Sequence, residues 1–348
     1  MSDGIIYDAQ SELERVAAHL DKGDREFFSR HVARLKAWDP VIRDIGTAIG
    51  KPIPSNCVVR ILPIRTINAA ALAVGRDGSF GISINAGLVA YIDGIAMIAS
   101  RAMPLTGDVS EDYISCRHFS SVLAFLSGFH DRMPEYVPSE RDSLYSKISQ
   151  TCLFFCVAHE YSHLALDHHR IKRNADADPQ LTNVNAIHEW TLSERIELDA
   201  DLQGFYMTIA FADRAGIDLG LAIWSVDLFL KATAFLDRFT SNLIYPVVSL
   251  LIRIAKEQGR EILLPVQKNA SGSHPPTAAR MAAFRHVLGS LAEGGAQNQL
   301  PTAISLAFEM IDRIDGFFHA LWYATRDLFS EEMLKTLGQV PAKMHDEL

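Results

Sequence analysis

His159-Glu160-Tyr161-Ser162-His163 sets two imidazoles four residues apart, with a carboxylate beside the first. On an α-helix, residues i and i+4 share a face, so both rings can reach one metal ion. That set suits hydrolysis: a metal ion acidifies water, and an adjacent base takes the proton. Glu160 stands where that base is needed.

A catalytic zinc commonly has three protein ligands and one open position, so a third ligand must come from elsewhere. Glu197-Leu198-Asp199-Ala200-Asp201 is the natural source. Glu197 is the expected ligand, with Glu194 and Glu189 as alternatives. Asp201 lies one helical turn on and is expected to accept the free ring N–H of a ligating histidine, His159 first, fixing its tautomer. The expected cofactor is one Zn2+ per chain. Cys152 and Cys156 share the histidine face upstream, and small buried apolar side chains are the plainer reading of them. His168 and His169 end the motif helix, where an imidazolium suits the helix dipole.

HExxH followed by ExxxD resembles the signature of gluzincin metallopeptidases. Ser273-His274-Pro275-Pro276-Thr277-Ala278-Ala279-Arg280 is similar to the HPxxxR segment that follows the metal site in HtpX-like and CAAX-prenyl-protease-type peptidases. Asn68–Leu72, Gly81–Asn85 and Gly87-Leu88 are similar to the hairpin and "GL" helix upstream in that family. The resemblance covers about residues 57–290. A soluble HExxH chain of this size also resembles the phage-exclusion peptidase Lit, by the motif alone.

The resemblance implies a zincin-like core and a peptidase mechanism. His159, His163 and Glu197 would hold zinc, which lowers the pKa of its water toward ~7. Glu160 would take the proton as water attacks a peptide carbonyl and pass it to the leaving amine. His274 is the candidate oxyanion donor, or the occupant of the open position. Arg280 is expected to pair with an acid and anchor its loop. Gly81, Ile82, Ser83 and Ile84 are expected to form an edge strand that aligns an extended peptide by β-addition.

The elements that must position these residues are mostly helices. Leu13, Val16, Ala17 and Leu20 keep helical spacing, as do Val32, Leu35 and Trp38, with Pro40 interrupting before Val41. Cys57–Leu62 reads as a strand, and Asn68–Gly75 and Ser79–Asn85 flank a hairpin turn at Arg76-Asp77-Gly78. A long helix is expected from about Ser143 to His169, and another over Thr191–Ala212 with Thr191 or Ser193 as N-cap. The fold class is mainly α with one small β-sheet (α+β), a zincin-like core with extra helices. An N-terminal helical segment (1–52) and a C-terminal one (293–348) would flank a peptidase domain at 53–292 with an insert at about 103–141.

Composition sets the surroundings. A formal charge of -9 leaves no basic surplus for phosphates, so nucleic acid is not an expected partner; a protein or peptide substrate is. Four cysteines without a disulfide framework fit a reducing cytoplasm. The N-terminus lacks the marks of a signal peptide, and the terminal His345-Asp346-Glu347-Leu348 reads as a coincidental match to a retention address. No membrane span is expected: Leu219–Leu236 is interrupted by Asp227 and Lys231, and Leu243–Ile254 is short. The leading expectation is a soluble zinc endopeptidase. The alternatives are a phage-defence or toxin-type protease that needs a trigger, and a helical binding protein with a structural zinc.

Overall fold

The computed structural model describes residues 22–52, 57–73 (except 63 and 65), 80–102, 113–127, 143–168, 191–246, 277–294 and 313–328 (except 315), with a few single positions between them. Helix α1 spans Lys22–Ala48. Strands β1 (Cys57–Leu62), β2 (Ala69–Ala73) and β3 (Phe80–Asn85) follow. Next come α2 (Ala86–Ala102), α3 (Tyr113–Leu126) and α4 (Ser143–Ala165), which carries HExxH. After these lie α5 (Leu192–Arg214), α6 (Leu219–Phe239, continued by a π turn) and α7 (Thr277–Gly294). Among the described residues the protein is mainly helical with one small sheet, as the sequence predicts.

Helix α1 runs through Pro40 without ending. The expected interruption is absent because packing holds both halves: Leu35, Trp38, Ile42 and Ile45 are all buried in the core. A proline removes one helical hydrogen bond but does not forbid a helix that tertiary contacts hold in place. Trp38 sets its ring edge against Phe154 of α4 and Phe211 of α5, which stack at 4.0 Å.

The sheet order is β1-β3-β2, with β1 parallel and β2 antiparallel to β3. The hairpin is as expected, with Ala69 opposite Ile84 and Ala73 opposite Phe80. The turn at Arg76-Asp77-Gly78 lies outside the described residues. The edge-strand expectation for Gly81, Ile82, Ser83 and Ile84 is wrong. These residues form the middle strand, with Val58–Ile61 on one side and Ala69–Leu72 on the other. Both rows of backbone groups are therefore committed, and Ile82 and Ile84 are fully buried.

Helix α4 is buried on nearly every side from Ile148 through Phe155 to Leu164, with polar Ser149, Thr151, His159 and Ser162 among the buried residues. It packs on α2, α5, α6 and the β2–β3 face. Helix α5 begins with a capping box. Thr191 Oγ1 accepts the Glu194 N–H, and the Thr191 N–H donates to Glu194 Oε2 at 2.8 Å. It ends at Arg214 with Ala215 as its C-cap; Gly216 follows, with a φ of 63° that suits the left-handed step, and the Ile217 N–H closes back on the Ala212 carbonyl at 2.8 Å.

The crossing of α4 and α5 is unusually close at Gly204. A Cβ there would stand 2.9 Å from His159 N and 3.0 Å from His159 Cα, both backbone atoms. Gly204 shares its helix face with Glu197 and Asp201, so the same closeness brings both acids to the motif. Gly204→Ala normally favours a helix by about 1 kcal/mol. Here overpacking of about 1–3 kcal/mol outweighs that gain. The variant is expected to unfold at lower urea than the native chain; a raised midpoint would refute the argument.

Helix α6 with its π turn, Leu219–Ile244, is long and apolar enough by composition to cross a membrane, but 67% of its most apolar window is buried inside the fold. That burial is the mark of a core helix. Asp227, one of the charges that interrupt it, lies 3.7 Å from Lys231.

Candidate metal centre

His159 and His163 project from one face of α4, and Glu197 meets them from α5. His159 Nε2 lies 3.2 Å from His163 Nε2. Glu197 Oε2 lies 3.5 Å from the first and 3.4 Å from the second. The three atoms form a nearly equilateral triangle. A tetrahedral ion with bonds of about 2.0–2.1 Å holds its ligands about 3.3–3.4 Å apart. The spacing of these three atoms is one that could hold a metal ion.

Asp201 and Arg280 stand behind the triangle. Asp201 Oδ1 lies 2.9 Å from His159 Nδ1. Arg280, from the first turn of α7, grips the same carboxylate with a two-pronged fork at 2.5 and 2.6 Å. Asp201 and Arg280 are both buried. Phe284 anchors α7 by stacking on Phe205 of α5 and meeting Phe155 of α4 edge-on. The order along the chain of contacts is Arg280, Asp201, His159 and the ligand face.

Burial opposes charge on the Asp201 carboxyl, but Arg280 and His159 overcome it and hold its pKa at about 2. Burial also opposes charging of the His159 ring. Its hydrogen bonds to Asp201 and Glu197 prevail and lift its pKa to about 10. The pocket therefore favours a positive charge at His159, and a cation on Nε2 meets the same demand.

Glu160 is half-exposed on α4, beside His159 and off the ligand triangle. Glu194, an alternative ligand, is engaged in the α5 capping box, and the Thr191 hydrogen bonds lower its pKa. Glu189 and His274 lie outside the described residues. Cys152 and Cys156 are buried, and burial pushes both thiols up, as inert apolar side chains. Gly81–Ile84 lie in the sheet's middle strand, not at a free edge.

Two contributors escaped the sequence reading. Gly204 carries no chemistry, and its one signal was its place seven residues after Glu197 on the same face. His168 sits against His163, whereas a continuous helix would have carried it away. The signal there was Asp167, a residue type that tolerates a left-handed backbone. No protein-family model, curated protein or solved structure matches the chain.

Proposed function

We propose that the chain is a soluble, cytoplasmic zinc-dependent endopeptidase of the gluzincin type. The observation that carries this reading is the triangle of His159, His163 and Glu197 with Glu160 beside it. Three protein ligands leave one position for water or substrate, whereas a structural zinc is usually closed by four. A zinc ion there supplies Lewis acidity that brings the pKa of its water toward ~7.

Glu160 takes the proton of the attacking water and delivers it to the leaving amine. Asp201 orients His159 by accepting its Nδ1 proton, and Arg280 keeps that carboxylate charged and fixed. An extended substrate has the edge of β2, which packs against α4. The Asn85 N–H donates to the Asn68 carbonyl, so Asn68 and Asn85 form a hydrogen-bonded pair. Antiparallel pairs alternate, so Ala70 and Leu72 also face β3. Ala69, Ala71 and Ala73 turn their backbone groups outward, where a peptide strand can add.

The test joins metal analysis to cleavage. About one zinc per purified chain is expected, and chelation followed by zinc should abolish and restore cleavage. Labelling of protein N-termini in cells expressing native or Glu160→Gln chain should reveal a terminus made only by the former. Absence of zinc from active protein, or identical termini in both cells, would overturn the proposal.

A further inference from the structure

The motif helix does not continue to His169 as its sequence suggests. It ends at Ala165, and the Asp167 N–H closes a turn on the Leu164 carbonyl at 3.1 Å. Asp167 has a φ of 56°, the one positive value on a non-glycine residue among those described. A left-handed step costs about 1–2 kcal/mol, and the surrounding structure must hold it. Its consequence is to turn the next residue back toward the metal centre. His168 is buried, with Nδ1 2.9 Å from His163 Nδ1 and the rings inclined at 67°.

Two ring nitrogens at that distance need one proton between them: one donates and the other accepts. His163 Nε2 faces His159 Nε2 and Glu197 Oε2, so it must be bare to bind a metal ion. The His163 proton is therefore on Nδ1 and is donated to His168. His168 Nδ1 must be the acceptor, with its own proton on Nε2.

We infer that His168 is a positioning residue that fixes the tautomer and ring plane of His163. The inference rests on the zinc reading above and deepens it. The two metal-binding rings are held differently. His159 leans on a carboxylate braced by Arg280; His163 leans on a neutral imidazole. A carboxylate partner makes a histidine a stronger donor than a neutral one does. His159 is therefore the more strongly donating of the two rings. A helix-end cation at His168 would present a second N–H to His163 and break the contact.

Asparagine and glutamine separate this role from mere bulk or polarity. The Asn Oδ1 falls where His Nδ1 stands, whereas the Gln Oε1 falls near the position of Nε2. Zinc affinity of the full chain is measured by competition with a chromophoric chelator, beside the thermal midpoint of the metal-free protein. His168→Asn should bind zinc within about threefold of the native chain. His168→Gln and His168→Leu should bind about 10–100-fold more weakly, with metal-free midpoints like that of His168→Asn. If His168→Leu fails to fold, the Asn and Gln pair decides alone. Native affinity in His168→Gln, or equal losses in Asn and Gln, would overturn the inference while leaving the zinc site intact. A native chain that binds no zinc would remove both, and that outcome is distinct from the others.

Discussion

Glu160→Gln is expected to retain one zinc per chain and to lose about 10³–10⁴-fold in kcat/KM, the upper range for removal of a general base. The expectation follows from where Glu160 lies. Its backbone neighbour His159 points into the ligand triangle, but Glu160 sits off that face and is half-exposed. Glutamine keeps the volume and the helix propensity, and no described ligand atom changes. Folding stability should stay within about 0.5 kcal/mol of the native value. The substitution removes only the ability to take a proton. Turnover within tenfold of native would mean that another group is the base. Loss of zinc would mean that Glu160 is a ligand, and the site would need a different chemistry. Glu194→Gln is the matched control, because that residue serves the cap of α5 and should leave turnover unchanged.

The cluster that could hold a metal ion was legible because helix geometry specifies its two halves locally. Four-residue spacing puts His159 with His163, and Glu197 with Asp201, on single faces whatever the rest of the fold does. The meeting of the two faces was not in the spacing. It depends on Gly204, which lets α5 reach the backbone of α4 at His159. The hairpin of β2 and β3 was legible for the same local reason, since only six residues separate the two strands in sequence. The position of β3 in the sheet was not, because β1 pairs with it across a longer separation and in parallel. Alternation of side chains tells which face is buried and is silent on which strand lies between two others. His168 was misread because a helical period was extended past Ala165, where a single left-handed residue ends it. Arg280 could be placed on a helix but its acid could not be named, since Asp201 lies 79 residues away in sequence.

Arg280→Leu should cost about 3 kcal/mol of folding stability, because it strips one of two partners from a buried carboxylate and leaves His159 alone beside it. With only His159 left beside it, the Asp201 carboxyl is driven toward taking a proton, and raising a carboxyl pKa from 3.9 to 7 costs about 4 kcal/mol at neutral pH, the upper bound of the effect. That route fixes the sign of the pH dependence. In the native chain Arg280 and His159 keep the carboxyl charged, with its pKa at about 2. In the variant, protonation becomes easier as pH falls, so the defect should shrink by about 1.4 kcal/mol per pH unit as pH falls from 7 toward 4. Urea unfolding of metal-free protein at several pH values measures it. Adding Asp201→Asn removes the stranded charge and should recover most of the stability. It should not recover zinc affinity, which stays about tenfold weak because an amide supports His159 less than a carboxylate does. Stability and metal affinity would then part company in the double variant. Arg280 would be shown to hold α7 and α5 together through the same carboxylate that aims His159. An Arg280→Leu chain as stable as the native one at pH 8 would mean that Asp201 reaches water, and the braced ligand would have to be abandoned.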